Sequence, residues 1–154
     1  MRAVVQVVAS SSVFIKAKNI TNEIGAGLNV LVGFNHGDTK QIVETIARKI
    51  VNLRIFNDDN DKMNLSVKDI AGKILSISQF TLYADTKKGN RPGFSEAMEP
   101  NLAMQMYDYF NECLSSEGVE VATGEFQAHM IVNIVNVGPT TIILDSANIN
   151  ATKK

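Results

Sequence analysis

Leu28-Asn29-Val30-Leu31-Val32-Gly33-Phe34 is an almost wholly apolar run. Its length suits a strand, and its lack of alternation predicts one buried on both faces. Gly25-Ala26-Gly27 precedes it, and Asn35-His36-Gly37, a turn composition, follows it. Asp38 or Thr39 can then cap a helix, because either side-chain oxygen can accept from free amides of the first turn. Ile42, Val43, Ile46, Ala47, Ile50 and Leu53 recur beyond that cap at helical spacing. One face of this helix must therefore be covered, and the doubly buried strand beside it supplies the surface. The pairing places the chain among α/β layered folds.

The same reading extends in both directions. Toward the N-terminus, residues 2–9 and 12–18 are rich in Val, Ile and Phe, and the cluster Ser10-Ser11-Ser12 predicts a tight turn between two strands. Toward the C-terminus, Asn57-Asp58-Asp59-Asn60-Asp61 reads as a polar hairpin. As a calcium loop beginning at Asp58 it lacks the required glycine and glutamate, since Met63 and Asp69 occupy those positions. Within Ala71–Leu82 a strand is expected over 73–80, then a polar loop over 85–92. A second helix is expected over 100–116, with Pro100 near its start, an apolar stripe of Leu102, Met106, Phe110, Cys113 and Leu114, and Gly118 at its end. Cys113 on that stripe reads as a packed thiol. Residues 119–122, 130–136 and 140–144 read as closing strands, the last two joined by a tight turn at Gly138-Pro139. The expectation is a single domain over 1–154: a mixed β-sheet, or partial barrel, with two main helices.

Composition narrows the function. The 154 residues carry a net charge of −1, which argues against a broad grip on DNA or long RNA but permits contact with an RNA end. The basic residues are partly clustered: Lys87, Lys88 and Arg91 in the polar loop, and Lys153 and Lys154 at the tail. A single cysteine precludes an internal disulfide, and no apolar run approaches the roughly 20 residues of a membrane helix, so a cytoplasmic location is expected. His36, His129 and Cys113 lie far apart and make a poor zinc set. No glycine-rich phosphate loop is present. Neither a metal nor a cofactor is expected.

Two stretches look unlike structural filler. Ser78-Gln79-Phe80-Thr81-Leu82-Tyr83-Ala84-Asp85-Thr86-Lys87-Lys88 runs from an apolar strand into a basic loop, and Asn136-Val137-Gly138-Pro139-Thr140-Thr141 interrupts a strand region. Together they resemble the paired motifs of the D-aminoacyl-tRNA deacylase family. Ser78, Gln79 and Leu82 match Ser-Gln-x-x-Leu, and Asn136, Gly138, Pro139 and Thr141 match Asn-x-Gly-Pro-x-Thr. The resemblance runs from Met1 to about Ser146 and takes in Leu53-Arg54-Ile55-Phe56 and Lys62-Met63-Asn64-Leu65-Ser66-Val67.

That resemblance implies a homodimeric ester hydrolase acting on the 3′ end of D-aminoacyl-tRNA, and on glycyl-tRNA. A Gly138-Pro139 motif with a cis bond would be inserted from one subunit into the site of the other. The catalytic region would be Ser78, Gln79, Phe80 and Thr81. Backbone amides around Gln79 and Phe80 would be oxyanion donors, and a ribose hydroxyl of the substrate would assist water. Thr81 is either a nucleophile or a local structural residue. Gly138, Pro139, Thr141, Phe126 and Met130 would bind substrate, Phe126 near the adenine or, alternatively, only in the core. Five positions depart from the family's habit: Val7 in place of an arginine, and Val137, Thr140, Gln127 and His129. These leave open a related deacylase of relaxed chirality, or a silent dimer that binds RNA ends.

Overall fold

The structure is a computed structural model and describes residues 1–149. The chain opens with a single long strand, β1 (Arg2–Ile15), whose alternating burial puts Ala3, Val5 and Val7 into the core. The expected turn at Ser10–Ser12 does not form. Ser11 is buried, with its hydroxyl shared between Asn29 Oδ1 (2.9 Å) and the Asn133 carbonyl (3.0 Å). A serine inside a strand is tolerated when neighbours satisfy its oxygen. The reversal comes later, through a short 3-10 helix (Lys16–Lys18) and Asn19 in the left-handed region. It leads into β2 (Ile20–Ile24), a strand not expected from its polar composition.

β3 (Gly27–Gly33) is buried on both faces, as its sequence predicts. Thr39, rather than Asp38, caps α1 (Lys40–Asn52) by accepting from the Ile42 amide. Asp38 is instead buried against the Met1 ammonium group, which also donates to Ser146 Oγ at 2.8 Å. β4 (Phe56–Asn57) and β5 (Met63–Leu65) form the polar hairpin, held by the Asp58 carboxylate accepting from the amides of Asn60 and Lys62. β6 (Lys73–Ser78) precedes α2 (Pro100–Ser116), which has the expected bounds. Its buried face differs from the expected stripe. Ala103, Tyr107, Phe110 and Leu114 point inward, while Leu102 is exposed and Cys113 only partly buried. The rotation follows from Tyr107, whose hydroxyl donates to the Ser76 carbonyl at 2.7 Å and so can be buried without an orphan donor.

β7 (Val121–Thr123) and β8 (Met130–Asp145) complete the sheet. The order is β2-β1-β3-β6-β7, with β8 along the other side of β1. β3, β6 and β7 are parallel, and the remaining pairs in this sheet are antiparallel. The sheet curls into a partial barrel, across whose opening Asn22 Nδ2 donates to the Thr123 carbonyl at 2.7 Å. One core lies between the sheet and the two helices, and a smaller one inside the curl joins Val8, Val13, Ile24, Leu75 and Ile77. The expected break at Gly138-Pro139 is a second correction. β8 passes through it as one strand, with residues 137–140 bulging out opposite Val7 alone.

Candidate active site

Three parallel strands end on the same side, and in such sheets ligands bind beyond the carboxyl ends. Here those ends carry Gly33-Phe34, Ser78-Gln79 and the Gly124–Phe126 turn. They open on a cleft of about 930 Å³, lined among others by Ser78, Gln79, Phe80, Phe126 and Met130. The structure thus gathers residues nearly fifty positions apart that the sequence singled out. Phe94, Met98, Gln127 and His129 also line it. Nothing local marks Phe94 as a partner of Phe80, yet their rings meet edge-on at 4.9 Å. Phe126 lines the cleft, and its ring also lies 6.2 Å from that of Tyr107 in the core. Gln127 adopts a positive φ of 61°, a conformation that favours glycine.

Beyond Ser78 the chain turns into a 3-10 helix (Phe80–Tyr83) that is held at three points. At its start the Gln79 amide donates to the Val32 carbonyl at 2.7 Å. Below it, Gly33 permits close approach, because a Cβ there would lie 2.8 Å from the Gln79 carbonyl oxygen. At its end Arg2 donates through Nη1 to the Leu82 carbonyl (2.9 Å), stacks over the Tyr83 ring (4.5 Å) and is fixed through Nε by Asp145 (3.0 Å). Burial pushes the Asp145 carboxyl up, but the Ala147 amide and the Arg2 guanidinium outweigh it and hold it below the usual carboxylate range. Burial likewise raises the Tyr83 phenol far above its ordinary value. Sequence reasoning missed Arg2, whose role depends on contacts 80 and 143 residues away.

The Gln79 amide is therefore committed. The Phe80 amide, at the open N-terminal end of the 3-10 helix, has no backbone acceptor among the described residues. Thr81 is exposed, does not line the cleft, and its hydroxyl accepts from Gln79 Nε2. Among the described residues no three His, Cys, Asp or Glu side chains cluster as a metal site would require. No helix among the described residues is long and apolar enough to cross a membrane.

Gly138 and Pro139 stand apart from this cleft. Their peptide bond is cis, both residues are exposed, and neither lines the cleft. Val132 of the same strand does line it, and six residues of extended chain carry Gly138 roughly 20 Å further along. Gly138 has φ of 112°, and a Cβ there would lie 2.6 Å from Thr140 Oγ1, so only glycine is accommodated. Gln6 Nε2 donates to Thr141 Oγ1 at 3.4 Å, tethering the base of the bulge. Val7, opposite the bulge, points into the core.

The mixed α/β fold is shared with a solved structure described as a c-Myc DNA Unwinding Element Binding Protein, which is 40% identical. The two superpose with a TM-score of 0.87 over 94% of this chain and 98% of that one. The class is therefore a small α/β domain built on a curled mixed sheet. More particularly, the D-Tyr-tRNA(Tyr) deacylase family model matches residues 4–145, and the chain belongs to that family of hydrolases. A D-aminoacyl-tRNA deacylase of Clostridioides difficile (strain 630) is 52% identical over 147 residues, covering 96% of this chain and 98% of the relative. One from Staphylococcus carnosus (strain TM300) is 54% identical over 146 residues, covering 95% and 96%.

Proposed function

We propose that the protein hydrolyses the ester joining a D-amino acid to the 3′-terminal adenosine of tRNA, releasing the free amino acid and the tRNA. Family membership supplies the reaction. The observation that carries the chiral mechanism is the separation of the two motifs: Ser78–Phe80 line a cleft that Gly138-Pro139 does not reach within its own chain. A second copy supplies the missing part. β8 supports this reading, because among the described residues it pairs only with β1 and presents Ile131, Val135, Val137 and Ile143 to solvent. An exposed apolar strand of this kind invites a partner.

In this reading water attacks the ester carbonyl, the vicinal ribose hydroxyl relays a proton, and the Phe80 amide stabilises the developing oxyanion. The ester is already activated, so no side-chain base is required. The partner's Gly138 and Pro139 carbonyls accept from the substrate ammonium and occupy the space an L side chain would need. A D side chain points outward and is accepted whatever its size, and glycine passes because it has nothing to clash. Phe126 stacks near the terminal adenine. Thr81 shapes the 3-10 turn through Gln79. One observation favours a second reading of relaxed chirality: with Val7 buried, no side chain at that position braces the Gly-Pro bulge.

The purified protein should release D-tyrosine from D-Tyr-tRNA, and glycine from Gly-tRNA, well above spontaneous hydrolysis. A D-Tyr-tRNA half-life unchanged by stoichiometric protein would refute the reading.

A further inference from the structure

Residues 86–92 form a loop whose cations no intramolecular contact explains. Lys87, Lys88 and Arg91 are exposed, and none takes part in an ion pair among the described residues. Yet the loop is built with care. Its stems are closed by two hydrogen bonds, Asp85 amide to Gly93 carbonyl (2.7 Å) and Gly93 amide to Asp85 carbonyl (2.9 Å). The Asp85 carboxylate turns inward to accept from the Lys87 amide at 2.9 Å, so the acid organises the backbone and does not pair with the lysine side chains. One stem leaves the 3-10 helix that begins with Phe80, and the other runs into Phe94. Those two rings are packed together in the cleft wall. The three cations therefore stand on a short, closed hairpin rooted in the cleft itself.

A chain of net charge −1 that gathers three cations without ion pairs within five residues beside the cleft offers them to an anion. We infer that the 86–92 hairpin is a phosphate-contact surface that receives the sugar–phosphate backbone of the nucleic acid whose 3′ end enters the cleft. On the proposed function, this backbone is the acceptor end of tRNA. Lys87, Lys88 and Arg91 supply affinity and register without reading sequence, as phosphate contacts do. Side chains in the cleft then handle the aminoacyl adenosine alone. The inference rests on the proposed function, and the substrates of the test separate the two.

The test compares D-Tyr-tRNA with D-tyrosyl-adenosine, which has the ester and the terminal nucleoside but no phosphate. The variant is K87A/K88A/R91A. KM for D-Tyr-tRNA should rise about tenfold or more with kcat within twofold. The salt dependence of log kcat/KM should become shallower by about 3, close to one unit per lost contact. Hydrolysis of D-tyrosyl-adenosine should be unchanged. The single variants Lys87→Gln and Lys88→Gln should each flatten the salt slope by about one, which keeps the test valid if the triple variant folds poorly. An unaltered KM and salt slope on tRNA, or equal losses on both substrates, would overturn the inference while leaving the proposed function standing. A wild-type protein inactive on both substrates would instead overturn the proposed function, and the inference with it.

Discussion

Thr81 is the residue at which two mechanisms part. Its hydroxyl accepts from Gln79 Nε2, is exposed, and has no base beside it. Thr81→Ala should therefore keep kcat within about tenfold of wild type in single-turnover deacylation. A loss beyond about a hundredfold, the size of a general acid–base effect, would make Thr81 a chemical participant. Asp38 offers a test of stability at the same scale. It is the buried counter-ion of the Met1 ammonium group and also accepts from the Asn35 amide at 2.7 Å. Breaking a buried pair leaves an uncompensated charge, so Asp38→Ala should cost about 3 kcal/mol in denaturant unfolding. A cost under about 1 kcal/mol, the range of exposed pairs, would show that water already reaches the pair.

At the scale of elements, the 3-10 helix at Phe80–Tyr83 works only if it is held still. Arg2→Met keeps the length of the side chain and removes the clamp on Leu82 and Asp145. It should lower kcat about tenfold with KM within twofold, and lower Tm at pH 7 by about 3 °C for a partly screened pair. The Tm difference should depend on pH. The folded pKa of Asp145 is depressed, so its contribution is full above the unfolded carboxyl's value and is lost as pH falls through the lower folded value. The gap should narrow as pH falls below the unfolded carboxyl's value of about 3.9, and a gap that stays constant through acid pH would assign the effect to packing alone.

Elements are also where sequence reading succeeded and failed. The bounds of α2 were legible from Pro100 and Gly118, and β3 was legible because burial on both faces demands an unbroken apolar run. Ser10–Ser12 and Gly138-Pro139 misled for one shared reason. Local rules treat both as breaks, but β1 and β8 pair with each other over their whole length, and long-range pairing overrides local preference. Ser11 is satisfied by Asn29, and the Gly-Pro segment is absorbed as a bulge. β2 was missed because a polar edge strand leaves little hydrophobic pattern. In the site, Ser78, Gln79 and Phe80 were visible as a motif. Phe94, Arg2 and Gly33 were not, because each matters only through a partner brought close by the fold.

At the scale of the whole molecule, the proposed function implies two copies. On that proposal the partner's Gly138-Pro139 bulge would complete each cleft, with the exposed apolar residues along β8 as the contact surface. Val135→Asp places a charge on that surface without touching the cleft lining. Sedimentation should show the wild type as a dimer and the variant as a monomer, with D-Tyr-tRNA hydrolysis lost in step. A fully active monomer would mean that one chain contains the whole site.

Chiral exclusion is measured by the ratio of kcat/KM for D-Tyr-tRNA to that for L-Tyr-tRNA, each corrected for spontaneous hydrolysis. D-tyrosine should be released rapidly, and L-tyrosine no faster than in buffer. Comparable release of both would contradict it, and would show that without an arginine at position 7 the Gly-Pro bulge no longer excludes the L side chain.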